Sequence, residues 1–245
     1  MKVKDIYSFI DSFAPFASAE EWDNVGLLSG SFEAEVERAV VALDCTDDAL
    51  QTAIDLGAQL IITHHPVVFS PVKQLLSDNI LWKLAENNIS VISAHTNLDK
   101  AENGVNARLG QVLNLEAKPT ENDPYLLVAE TDFCLEDFLS KIKSTLACNS
   151  LRVYKATDFI RKIGFCCGSG GDSLETAKAE GCDTFLSGDI KHNVFVKAAE
   201  LGITLIDAGH FATEDIIVEP LADTLRAKFP DTDFITCHTK PFCFY

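Results

Sequence analysis

The feature that most constrains this chain is a set of short apolar runs that each break off at a cluster of metal-ligand residue types. AQLIIT (58–63) runs into His64-His65-Pro66, ISVISA (89–94) into His95-Thr-Asn97-Leu-Asp99, and ITLIDAG (203–209) into His210-Phe-Ala-Thr-Glu214. Runs of this length and β-branched content predict buried strands. Helix-like segments separate them. CTDDALQTAIDLG (45–57) has Thr46 placed to cap the helix, Asp47 and Asp48 in its first turn and Gly57 as its stop. Further helices are predicted around 78–88 and 104–113. With a strand at 36–44, the first part of the chain reads βαβα, an order that favours a mainly parallel sheet covered by helices.

The stretch 114–124 (NLEAKPTENDP) is polar, carries two prolines and is read as a domain boundary. A second α/β series follows, with strands at 125–130, 151–156, 161–167, 183–187 and 203–209 and helices at 135–147, 173–180 and 190–200. After HFATE come a helix to about 228 and a last strand, FITCH. The expected organisation is a first α/β lobe over 1–118, a second over 119–210, and a C-terminal segment, 211–245, that packs back on the first. The segment EEWDNVGLLSG reads as a loop.

Charge and cysteine usage narrow the partners. Thirty-seven acidic against 20 basic residues give a formal charge of −17, which repels phosphate backbones and argues against nucleic-acid binding. No apolar run approaches the roughly 20 residues needed to span a bilayer. The first residues, MKVKDIYSFIDSFAPF, read as an amphipathic helix with acids inside it, unlike a signal peptide. The eight cysteines form no CxxC pair and no zinc-ribbon spacing, and most lie in apolar runs, so reduced core thiols and a cytoplasmic location are expected.

The strand-end clusters are candidates for one site, because ligand sites in α/β sheets collect at the carboxyl ends of strands. His64 and His65 are neighbours on an extended backbone and point to opposite sides, so each can serve one of two nearby ions; a plain pair of loop histidines is the alternative. Residues 95, 97 and 99 share a face if the chain stays extended, presenting an imidazole, an amide and a carboxylate. A capping or Asx-turn role competes, most strongly for Asn97. His210 and Glu214 are four apart, on one face of a helix, and a carboxylate can span two ions, so Glu214 is the natural bridge. A surface ion pair is the competing reading. Three imidazoles with two carboxylates suit zinc, iron, manganese, cobalt or nickel better than calcium or magnesium. Two such ions about 3.5–4 Å apart can activate a water and polarise a carbonyl, phosphoryl or ring carbon.

His192 is open to a supporting or substrate-contacting role or to an ordinary helix surface, and His238 reads as structural or exposed. The GSGGD loop (168–172) is either an anion cradle or a tight turn.

Seven motifs, EEWDNVGLLSG, LDCTDD, LIITHHPVVF, AHTNLDKAENGVN, CCGSGGD, FLSGDIKHN and IDAGHFATE, occur in this order over nearly the whole chain. Together they resemble the GTP cyclohydrolase 1 type 2 homolog family, also called the Nif-three-like family. The resemblance implies two α/β lobes, with mainly parallel or mixed sheets flanked by helices, around a dinuclear metal site at the strand ends between the lobes. It implies metal ligation by His64, His65, Asp99, His210 and Glu214, with Glu214 bridging, His95 lining the site and a ring-like homohexamer. The short form of the family, without its inserted middle domain, fits the roughly 90 residues between the HTNLD and DAGHFATE regions. The expected activity is metal-dependent hydrolysis of a small molecule, with His95 as acid–base group. The alternative is a non-catalytic metal-binding or scaffold protein.

Overall fold

A computed structural model describes residues 1–243. These residues form strands β1 (Gly26–Ser29), β2 (Arg38–Ala42), β3 (Leu60–Thr63), β4 (Ser90–Ser93), β5 (Lys118–Pro119) and β6 (Leu127–Cys134). Then follow β7 (Arg152–Tyr154), β8 (Phe159–Phe165), β9 (Thr184–Ser187), β10 (Thr204–Asp207) and β11 (Asp233–Cys237). The fold is α/β with two helix-flanked sheets, ordered β1-β4-β3-β2-β11 and β5-β6-β8-β9-β10-β7. Each sheet belongs to its own compact unit, the first made of Met1–Ala101 with Ile217–Cys243 and the second of Glu102–Ile216.

In the first unit β2, β3 and β4 run parallel, with Ala42 opposite Thr63 and Thr63 opposite Ser93, so three carboxyl ends lie side by side. β11 extends this parallel set beyond β2. Every residue of β3 and β4 is buried, so neither strand alternates between apolar and charged residues, and the polar residues they carry are small hydroxyls. Leu50 and Ala53 of the helix Asp47–Leu56 pack on Val40, Ile61 and Val91 of the sheet. That helix has the ends its sequence predicts. Thr46 Oγ1 accepts from the Ala49 amide at 3.1 Å, and Gly57 turns the chain left-handed with φ 62°.

The loop expected at EEWDNVGLLSG instead contains an edge strand, β1, antiparallel to β4. Four residues, of which the first is a glycine and which another glycine follows, are too few to show an alternating pattern. Gly30 is required there, since a Cβ on it would lie 2.6 Å from Ser90 Cα.

In the second unit β8, β9 and β10 form the parallel centre, with Phe165 opposite Leu186 and Ser187 opposite Asp207. β6 and β7 flank that centre antiparallel, so the sheet is mixed. Phe185, Leu205, Leu126 and Leu174 are fully or almost fully buried in its core. The chain passes into this unit at Glu102, ahead of the polar stretch 114–124 where the sequence suggests a boundary, and returns at Ile217. The physical reason is the helix Val105–Val112. Its Asn106 Oδ1 accepts from the Cys167 amide at 2.7 Å, and Gly110 is packed so closely on Phe165 that a Cβ would come within 3.0 Å of the ring. The stretch 114–124 is thus internal to the unit and supplies the short strand β5.

The eight cysteines are all free thiols, four of them buried. Burial pushes the Cys45 thiol up to about 12 and the Cys182 thiol up to about 11, which keeps both protonated and unreactive. Among the described residues no helix is long and apolar enough to cross a membrane.

The Thr46 cap has a measurable consequence. Thr46→Ala removes the acceptor for Ala49 and is expected to lower unfolding free energy by about 1 kcal/mol, read from the midpoint of urea unfolding at unchanged m-value.

Candidate metal centre

The carboxyl rim of the first sheet carries the histidines. One residue beyond the Thr63–Ser93 pair, His64 and Ala94 lie alongside each other, and His64 Nδ1 bonds to the Ala94 carbonyl oxygen at 2.9 Å. The next residue, His65, donates its amide to Leu43 O at 3.0 Å, while its Nδ1 meets Asp44 Oδ1 at 2.7 Å. His95, just past β4, bonds through Nδ1 to Asp23 Oδ1 at 2.9 Å. One ring nitrogen from each of His64, His65 and His95 lies within 4.8 Å of the others. His64 is almost fully buried, at 1% exposure.

Asp99 joins this group, but not along an extended chain. Thr96–Asp99 is a helical turn whose Asp99 amide donates to His95 O at 3.0 Å. The i,i+4 spacing brings residues 95 and 99 to one side, and Asp99 Oδ1 stands 3.5 Å from His64 Nε2. The same turn carries Asn97 the other way. Its buried Nδ2 donates to Ala14 O at 2.7 Å, closing the end of the first helix, so Asn97 is structural.

In the second unit His210 and Glu214 begin and end one helical turn. His210 Nε2 lies 2.8 Å from Glu214 Oε2, and Glu214 is 95% buried, with 5% of its surface exposed. The GSGGD loop explains how a buried carboxylate is accommodated there. Gly168 (φ 63°) lies against Glu214 so closely that a Cβ would fall 2.1 Å from Oε1, and its amide donates to Thr213 Oγ1 at 3.0 Å. The loop is a backing for Glu214 and ends in a 3-10 turn at Gly171–Ser173. His210 Nδ1 bonds to Asp189 Oδ2 at 3.0 Å. His192, by contrast, is exposed at the start of the helix His192–Leu201. His238 is exposed and stands 3.5 Å from Glu219.

All four site histidines therefore engage Nδ1, three with a carboxylate and one with a carbonyl, and His64 and His210 turn Nε2 toward Asp99 and Glu214. A metal-binding histidine needs this arrangement, because the outer acceptor sets the tautomer and the ring orientation. In the first unit His64, His65 and His95 form a cluster that fits a first-row divalent ion, with Asp99 beside His64, and in the second unit His210 and Glu214 form a facing pair of the same donor types. Asp23, Asp44 and Asp189 were not singled out in the sequence. For two of them a signal exists, since Asp44 in LDC and Asp189 in SGD each stand two residues beyond a strand, as His65 does.

The Asp23 side chain is fully buried and also accepts from the Thr96 hydroxyl at 2.5 Å and the Thr96 amide at 3.1 Å. Burial pushes its carboxyl up, but the bonds from Thr96 and His95 and the charge of His95 outweigh that, leaving it below the ordinary carboxylate range. Beside it, Trp22 and Phe69 are 60% and 58% exposed. Their rings lie 6.2 and 6.3 Å from the His95 ring. The two loops that carry them are tied by Asn24 Nδ2 to Val68 O at 2.6 Å.

A family model described as Duf34/NIF3 (NGG1p interacting factor 3) matches residues 1–241. The chain belongs to this family. Among Duf34/NIF3 relatives, a Clostridium acetobutylicum protein named GTP cyclohydrolase 1 type 2 homolog is 35% identical over 229 residues, covering 87% of this chain and 85% of its own. A Campylobacter jejuni protein of the same name is 33% identical over 250 residues, covering 100% of both chains. Among solved structures, a hypothetical protein of Staphylococcus aureus superposes with a TM-score of 0.93 at 31% identity, covering 100% of this chain and 99% of that one.

The Gly168–Glu214 contact is directly testable. Gly168→Ala must displace the Glu214 carboxylate and is expected to take up less zinc than wild type from a zinc-containing buffer, as measured by elemental analysis after dialysis.

Proposed function

We propose that this Duf34/NIF3 protein is a metal-dependent hydrolase of a small molecule. On this reading His64, His65, Asp99, His210 and Glu214 hold two divalent ions, drawn from zinc, iron, manganese, cobalt or nickel, with Glu214 bridging. The observation that carries it is the shared outward anchoring of Nδ1 in His64, His65 and His210, which prepares three imidazoles as ligands. When bound, paired ions supply Lewis acidity, which makes a water nucleophilic near neutral pH and polarises the bond under attack.

The chain's own residues do the rest. The rigid turn Thr96–Asp99 and the glycine-backed turn His210–Glu214 hold the carboxylates in fixed directions. His95, held by Asp23 through Nδ1, presents Nε2 to take up and return the proton that the attacking water gives up. Trp22 and Phe69 offer ring faces beside His95 on which a planar group such as a nucleobase or pterin can stack. The names carried by the relatives make the guanine ring of GTP, opened with release of formate, the first substrate to try. We further propose that the chain works in the cytoplasm as a homohexamer, without nucleic acid or membrane, which light scattering on the eluted protein checks for size.

Elemental analysis of purified protein is expected to find close to two metals per chain, and Glu214→Ala well under one. His95→Gln is expected to keep the metal and lower turnover about 10²–10⁴-fold on whichever substrate of a panel, GTP included, is consumed. Low metal content that Glu214→Ala leaves unchanged overturns the site. Full metal content, a large fall in melting temperature with chelator and no turnover on any substrate favour the non-catalytic scaffold.

A further inference from the structure

Resting on the metal-binding reading above, we infer that Asp44 and Asp189 are positioning residues for the donors His65 and His210, produced twice by the same strand-end device. In the first unit Ala42 and Thr63 pair across β2 and β3, so two residues further on Asp44 and His65 meet. The His65 amide also ties the two strand ends together by donating to Leu43 O at 3.0 Å, beside the His65 Nδ1 to Asp44 Oδ1 bond at 2.7 Å. In the second unit Ser187 and Asp207 pair across β9 and β10, the Ala208 amide donates to Ser187 O at 2.8 Å, and Asp189 meets His210 just beyond.

A chance surface ion pair does not require the backbone that supports Asp189. Asp189 adopts φ 47°, a left-handed conformation that side-chain residues other than Asn and Asp seldom take. Gly188 before it has no room for a Cβ, which would lie 2.6 Å from the carbonyl carbon of Gly209 and 2.7 Å from Gly168 O. Ile190 after it is held on both sides of its peptide. Its amide donates to Asp207 Oδ2 at 3.2 Å, and its carbonyl accepts from Arg152 at 2.6 Å. Arg152 also pairs with the buried Asp207. The constraint ends in one side chain, the Asp189 carboxylate on His210 Nδ1.

A carboxylate in that place would keep the proton on Nδ1, leave Nε2 as the atom that holds an ion and make it a stronger donor through added negative charge. His64 has the neutral Ala94 carbonyl in the same role and serves as an internal contrast. The charge on Asp44 and Asp189 thus strengthens the ion bound through His65 or His210 and leaves the ion bound through His64 and Asp99 alone.

Asparagine is the informative substitution, because it keeps an acceptor oxygen and, at position 189, tolerates the left-handed backbone. Chelator-stripped wild type, Asp44→Asn and Asp189→Asn are titrated with zinc by calorimetry in competition with a chelator of known affinity. Each variant is expected to weaken one binding event about 10–100-fold and leave the other within about threefold. The melting temperature of the metal-free protein should not move, which separates positioning from a general structural role. Asp44→Ala and Asp189→Gly remove the acceptor altogether and are expected to lose more; they also stand in if an asparagine variant fails to fold. Wild-type affinities in all folded variants overturn the inference. So does a loss of affinity matched by an equal loss of metal-free stability. A wild type that takes only one equivalent overturns the two-ion reading, and the positioning role is then decided on that single event. A wild type that takes none overturns both.

Discussion

The register of parallel strands is the constraint on which the candidate metal centre depends. β2, β3 and β4 stop level with one another, as do β9 and β10 with β8 one residue short, and parallel pairing fixes the offset of each strand against the next. Whatever residues follow the last paired position are then neighbours across strands. Asp44, His64, His65 and His95 come together at one rim in this way, and Gly168, Asp189 and His210 at the other. A shift of one residue in any of these pairings would turn the donors to the opposite face.

Holding polar groups at a buried rim is costly, and each unit meets the cost with partners of its own. His64 Nδ1 uses a main-chain carbonyl, and the Thr63 hydroxyl bonds to Ser93 at 2.8 Å. In the second unit the buried Asp207 is held by Arg152 and by the amides of Ile190 and Gly209. It acts as an organising anion under the loop that bears Asp189. Close backbone packing at Gly168 and Gly188 does the remaining work by leaving room for Glu214 and bringing three loops into contact.

Much of this was legible. The buried strands, the capped helix at 47–56 and the three histidine clusters follow from local chemistry that survives folding unchanged. Other features depended on distant residues. Asn97 shares its strand-end cluster with Asp99 in sequence, yet a single helical turn sends it to Ala14. β1 pairs with a strand more than sixty residues away, and its four residues carry too short a pattern to announce that. The helix Val105–Val112 reads like its predecessors but belongs to the second unit because of what Asn106 and Gly110 touch there.

The sequence by itself determined which donors are available and which of them stand at strand ends, since hydrophobic runs and the residues that stop them are local properties. Family membership follows from the same residues. Only the tertiary structure decided the outer partners. That His65 leans on Asp44, His95 on Asp23 and His210 on Asp189 depends on which strands lie side by side and in what register. Strand order is a property of the whole sheet, settled by long-range packing, and no local pattern encodes it.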